Sequence, residues 1–417
     1  MKVGESNSAE YFFHRPLWRH WLEGISNLYK IKPNQIDEKF LMSVAIQNTG
    51  MSDWGEGDIQ EPLSVLLNSC KKQNKLNNVG WFMLHQEIIN SLSNRLLIHE
   101  ELKNVPLIKK EEIRRPLFIV SLPRTGTTLL QRLLALDSAN RGLIFWQSLK
   151  PVPPPNSDDV ESDSRIGEAA NILKLRNELA PGFSEIHETR VNEPEECLHL
   201  FHNSLTFPSL HMIFDIPEYE QWLQTQDMTF QYAYYHRQLQ ILQSKLSNKR
   251  WVLKSPWHLY YMDALLLEFP DACIVQTHRD PKKIMPSVCS LAAMVQGMNR
   301  DELDLKKIGL QWTQEWAAAL ENSSKVRKKQ KAETFFDIHY QDLVQDPIKT
   351  IKDMYKYFEY DFETEFEEKM KEWLVNDSKT RKKQNKHQYS LEQFGLNEKI
   401  VSNYFDEYCK EFNITSE

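Results

Sequence analysis

LFIVSLPRTGTTLLQRLLALD, residues 117–137, decides the architecture of this 417-residue chain. Leu117 to Leu122 form a short, unbroken apolar run opened by Pro116. A run this short fits a strand buried on both faces of a parallel sheet. PRTGTT then makes a turn, and Leu129, Leu133 and Leu136 fall on one helical stripe. The order is strand, glycine-containing turn, helix.

That turn has the means to hold an anion. Gly126 permits a backbone conformation closed to most residues, so successive N–H groups can face outward at the start of a helix. The helix dipole adds to their pull. Thr125, Thr127 and Thr128 supply further donors, and Arg124 supplies a permanent charge able to grip two oxygens. The nucleotide-triphosphate loop GxxxxGK[ST] is not met, since no Gly-Lys pair follows. No acidic strand end suited to Mg²⁺ stands out either, which counts against a kinase or GTPase.

Outward from the turn, the same alternation recurs. WVLKSP (251–256) reads as a strand ending in polar residues, and HLYYMDALLLEF (258–269) as an amphipathic helix stopped near Pro270. ACIVQTHR (272–279) is a third strand, with Asp280 as N-cap and Pro281 at the first helical position. TFFDIHYQDL (334–343) is a fourth. This is the βαβ pattern of a central parallel sheet flanked by helices, whose ligands sit at the C-terminal strand ends. Residues 1–114 read as an N-terminal helical region and 115–417 as the α/β domain. The acidic, Pro-rich stretch 151–164 reads as a surface loop.

THRDPKKIMPSV offers a second anion site. Arg279 closes a strand, and Ser287 lies eight positions on (287 − 279), about two helical turns away. Both can converge on one phosphate; the plainer reading pairs Arg279 with a carboxylate. Two anion sites on one sheet rim suit a ribose phosphorylated at both ends.

Composition narrows the class. A hydrophobic fraction of 41% and a charged fraction of 26% describe a globular protein with a real core. A net charge of −7 argues against nucleic-acid binding. The five cysteines form no CxxC pair and read as reduced thiols. The opening residues lack the build of a signal peptide, and no run of about 18 apolar residues exists. The expectation is a cytoplasmic protein without a membrane partner.

LPRTGTTLL, VLKSPWH and THRDPKKIMPSV, in this order, resemble the sulfotransferases that use 3′-phosphoadenosine 5′-phosphosulfate (PAPS). YQDLVQDP (340–347) and KHQYSLEQFGL (386–396) are similar to the same family. The resemblance implies a 5′-phosphosulfate loop at Arg124–Thr128 and a 3′-phosphate site at Arg279 and Ser287. It departs from many cytosolic members in carrying arginine, not lysine, at 124. PAPS would be the co-substrate, with no metal. The acceptor would be a small molecule bearing a hydroxyl or amine. A homodimer is admitted.

Lys254 ends a strand and, by the resemblance, stabilises the leaving group; otherwise it is a snorkelling lysine. The acceptor's proton needs a base. His258 suits neutral pH and stands four positions after Lys254. The rival is HETRVNEPEE (187–196), where Glu188 leads, or else the whole segment is a solvated acidic face. The ExxH pair Glu196/His199, with Cys197 and His202 near, lacks the second half a di-metal site needs. Lys386 and His387 could close over the 3′-phosphate or belong to a solvated loop. Phe201, Phe207, Phe214, Trp222, Tyr232, Tyr234 and Tyr235 line an acceptor pocket or fill the core. The competing functions are a nucleotide kinase and a non-catalytic relative that binds nucleotide.

Overall fold

A computed structural model describes residues 36–156, 163–180, 182–246, 248–381 and 389–415. Five strands form one all-parallel sheet: β1 (Leu117–Ile119), β2 (Asn140–Gly142), β3 (Arg250–Lys254), β4 (Cys273–His278) and β5 (Phe335–His339). Their spatial order is β2-β3-β1-β4-β5. β1 is central, so the chain leaves it for one edge, returns as β3 on one flank and continues as β4 on the other. The C-terminal ends of β3, β1 and β4 therefore lie side by side, where an open parallel sheet binds its ligand.

The central strands β1, β3 and β4 are buried on both faces, as the unbroken apolar runs require. On one face, Leu117, Ile119, Val252 and Val275 meet Leu129, Leu130 and Leu133 of α1 (Thr127–Leu134). On the other, Phe118, Leu253 and Ile274 join a larger core. That core contains α2 (Pro281–Asn299) and α3 (Leu305–Arg327). It also takes in the N-terminal helices Glu38–Thr49, Gln60–Gln73 and Asn78–Asn104. The Asn77 N–H donates to the carbonyl of Asn299 at 2.9 Å, locking those helices to α2.

Three elements differ from their sequence reading. β2 is an edge strand of Asn-Arg-Gly with no apolar run to betray it. Its place is fixed by Asn140, whose amide donates to Leu134 O at 2.9 Å and bonds the Tyr355 hydroxyl at 2.8 Å. Gly142 is needed there because a Cβ would stand 2.6 Å from Pro194 Cγ. The helix expected from His258 is split into a 3₁₀ turn, Pro256–Leu259, and a short helix, Met262–Glu268. The Pro-rich stretch is irregular, as expected, but lies only partly at the surface in its described part: Pro151, Pro154 and Pro155 are buried, while Pro153 and Asn156 are exposed. Arg165 ties it down by donating to Lys150 O at 2.9 Å and Pro153 O at 2.6 Å.

Candidate active site

The loop after β1 turns on two left-handed residues, Arg124 (φ 68°) and Gly126 (φ 90°). Gly126 is the N-cap of α1, with no side-chain cap bond. The first N–H groups of α1 therefore remain for an anion. Arg124 and Thr128 are exposed and Thr127 half-buried. One Arg124 donor is spent on Ile186 O at 2.6 Å, which ties the loop to the turn Phe183–Ile186.

Thr125 does not present its hydroxyl to a ligand. The side chain is fully buried, donates to Leu122 O at 2.7 Å and meets Thr277 Oγ1 at 2.6 Å. Since its one proton goes to Leu122, Thr277 is the donor in the second bond. Thr125 thus braces the loop and offers only its backbone N–H.

This bracing joins the two expected anion sites. Thr277 also donates its N–H to Ser121 Oγ at 2.6 Å, so the β1 loop is tied twice to the end of β4. Two residues later, Arg279 donates to Arg124 O at 3.1 Å. Its guanidinium lies 3.9 Å over the Tyr340 ring, and Tyr340 borders the face of Gly126 that lacks a Cβ. Ser287 is 2% exposed, and its Oγ is buried without a hydrogen-bond partner among the described residues. Such an atom costs stability unless a ligand or water completes it. Ser255 Oγ, at the end of β3, is in the same condition. Sequence reasoning passed over Ser255, although it directly follows Lys254.

The acid–base candidates separate sharply. His258 sits in the 3₁₀ turn with its ring fully buried, edge-on to Phe118 at 5.4 Å and near Phe201 and Tyr235. Its Nδ1 bonds the Tyr232 hydroxyl at 2.8 Å. Burial pushes its pKa down to about 3. Its ring packs among core aromatics, and its Nε2 is buried without a hydrogen-bond partner among the described residues.

Glu188 is held in a ring of charges: Arg132 at 3.0 Å and Arg190 at 2.9 Å, both of which also grip Glu193. Burial pushes its pKa up, but the two guanidiniums outweigh that and hold it below the usual glutamate value. A carboxylate so stabilised is a poor proton acceptor.

Glu195 and Glu196 stand closer to the strand ends. The Cys197 N–H donates to Lys254 O at 3.0 Å, laying this segment along β3. Lys254 Nζ lies 3.4 Å from Glu196 Oε1, with the two side chains 3% and 14% exposed. Glu195 is buried and bonds His187 Nε2 at 3.2 Å and the Glu196 N–H at 2.9 Å. Burial pushes its pKa up, but His187, Lys254 and that N–H hold it far below the carboxylate range. His187, Glu195 and Glu196 are spaced like metal ligands. The Lys254 ammonium already supplies the cation beside them.

Phe201, Phe207, Phe214, Tyr232 and Tyr235 are buried core, with Phe201 stacked on Phe207 at 4.4 Å. Lys386 and His387 lie outside the described residues. All five cysteines are free. No described helix is long and apolar enough to cross a membrane.

Residues 116–364 match the profile of the sulfotransferase family. The fold is similar to sulfotransferase STF9 from Mycobacterium avium, with a TM-score of 0.83 and 26% identity over 92% of this chain and 98% of that one. Sulfotransferase STF1 from Mycobacterium tuberculosis H37Rv gives a TM-score of 0.79 and 32% identity, over 90% and 100% of the two chains. In sequence, the chain is 24% identical to the omega-hydroxy-beta-dihydromenaquinone-9 sulfotransferase Stf3 of Mycobacterium bovis. That match spans 321 residues, 70% of this chain and 74% of the relative.

Proposed function

The chain belongs to the sulfotransferase family, and from that premise we propose that it moves a sulfuryl group from PAPS to a hydroxyl of a small, largely apolar acceptor. The kinase reading is thereby set aside. One observation carries the choice of donor: Arg279 bonds the carbonyl of Arg124, so two anion sites adjoin, and the orphaned Ser287 Oγ lies on the helix that follows Arg279. A nucleotide with a phosphate at each end would complete both.

Within that reading, the N–H groups of Gly126, Thr127 and Thr128 and the Arg124 guanidinium bind the 5′-phosphate. Arg279 and Ser287 bind the 3′-phosphate. PAPS supplies the sulfuryl group. As the acceptor oxygen bonds to sulfur, the bond from sulfur to the bridging oxygen breaks, and that oxygen leaves with the electron pair on the 5′-phosphate. Lys254, with Ser255 beside it, neutralises this charge. Glu196, rather than His258 or Glu188, takes the acceptor proton. It is in contact with Lys254 and is not locked into an arginine ring. The relative named for omega-hydroxy-beta-dihydromenaquinone-9 takes an alcohol, which supports a hydroxyl acceptor here.

The helices Glu38–Thr49, Gln60–Gln73 and Asn78–Asn104 would act as a buttress to the α/β part rather than as a site of their own. The test is transfer of ³⁵S from labelled PAPS into an extract of apolar alcohols. A labelled sulfate ester that forms with EDTA present supports the reading. Label released only as free sulfate refutes it.

A further inference from the structure

We propose that Tyr408 and Asp337 position the 3′-phosphate arginine, Arg279, by fixing its neighbour His278 through a single directional chain of hydrogen bonds; this rests on the reading of Arg279 given above. Arg327 donates to Asp337 Oδ1 at 2.7 Å and pairs with Oδ2 as well. Asp337 as a carboxylate can only accept, so His278 Nε2, 2.8 Å away, carries the hydrogen. The other ring nitrogen, Nδ1, is then bare and accepts from the Tyr408 hydroxyl at 3.1 Å. The Tyr408 ring also packs on the His278 ring at 5.7 Å, and His278 is the residue that directly precedes Arg279. Every donor and acceptor in the chain has one assignment.

The geometry makes this chain consequential. The ladder between β4 and β5 ends at the pair His278–His339, so Arg279 is the first residue beyond it. The last paired residue, His278, is held from the other side by Tyr408 of the helix Glu398–Glu411. The His278 side chain is fully buried and lies under Phe412, rings 4.2 Å apart and 19° from parallel. Burial, against the pull of Asp337, keeps the imidazole on the neutral side of its ordinary behaviour. A shift of Tyr408 or His278 would thus tilt the Arg279 backbone at the point where its side chain bends towards Arg124 O and Tyr340. Small displacements of a charge-binding group cost binding steeply.

The experiment compares 3′-phosphoadenosine 5′-phosphate (PAP) with adenosine 5′-monophosphate, which lacks the 3′-phosphate, by calorimetry in EDTA. Tyr408→Phe removes only the hydroxyl from a residue that is 8% exposed. PAP affinity should fall about 5- to 10-fold, the worth of one hydrogen bond acting on a charged contact. Affinity for the monophosphate should stay within about twofold. Asp337→Asn, its folding checked by a urea melt, should repeat the pattern. Loss for both ligands alike, or for neither, overturns the proposal, because a general structural defect would not single out the 3′-phosphate. If the unmodified protein does not prefer PAP, the 3′-site reading falls first and this inference with it.

Discussion

Gly126→Ala strikes the point where the two proposed anion sites meet. At φ 90° the residue stands in the left-handed region, beyond the value of about 57° that a left-handed turn prefers. A Cβ there costs roughly 1–2 kcal/mol in backbone strain. It would also come within 2.9 Å of Leu343 Cδ2 and 3.3 Å of Tyr340 Cδ2. Leu343 is a side-chain tip and can yield, so this crowding adds about 0.5–1 kcal/mol. Tyr340 carries the Arg279 guanidinium and cannot move without disturbing it. The total, about 2 kcal/mol, has two outlets. If the loop keeps its shape, unfolding free energy falls by that amount. If the loop relaxes, its N–H groups turn away and PAP affinity falls up to about 30-fold. Urea melts without ligand and calorimetry with PAP measure the two outlets separately. Unchanged stability together with unchanged affinity would refute the reasoning.

Glu196→Gln should lower kcat about 10²- to 10⁴-fold while PAP affinity holds, since it removes a base and leaves the nucleotide contacts alone; weaker PAP binding with kcat intact would make Glu196 a nucleotide contact instead. His258→Gln should keep kcat within about tenfold and cost about 1–3 kcal/mol of stability, because the Tyr232 hydroxyl loses its partner. A collapse of turnover in a folded His258→Gln protein would return the base role to His258. Acid should destabilise the chain well above the carboxylate range. Burial pushes His258 from 6.5 down to about 3 and His199 and His85 to about 4, so the unfolded chain takes up protons that the folded one refuses. Their stabilisation is full above pH 6.5 and is lost as pH falls through the window from 6.5 towards 4. His211 opposes them in part, since Glu315 outweighs its burial and raises its pKa. The urea midpoint should therefore be lower at about pH 5 than at about pH 7.5; a flat profile would contradict the burial of these rings.

The sheet was legible because its central strands are apolar on both faces and each ends in a polar turn. β2 was not, because an edge strand of Asn-Arg-Gly is fixed by Tyr355 and Pro194, both distant in sequence. Gly126, Arg279 and Ser287 stand out in the sequence as candidates because each answers a local requirement: a positive φ, a charge at a strand end, a hydroxyl at helical spacing. The role of Thr125 escaped, since a threonine in a phosphate turn looks like a ligand until Thr277 is seen beside it. The base we propose differs from the one the sequence suggested, for a related reason. His258 lies four residues from Lys254 in sequence, yet the 3₁₀ turn after Pro256 swings its ring into the aromatic core. Glu196 is 58 positions before Lys254 (254 − 196), and only the segment laid along β3 brings the two into contact. Short-range spacing favours His258, while contact in the fold favours Glu196.

A crystal structure with PAP bound tests the account at its centre. The 3′-phosphate is predicted to lie within hydrogen-bonding reach of the Arg279 guanidinium and of Ser287 Oγ, with the 5′-phosphate on the N–H groups of Gly126, Thr127 and Thr128. Density for the 3′-phosphate elsewhere, with Ser287 Oγ still lacking a partner, would contradict it.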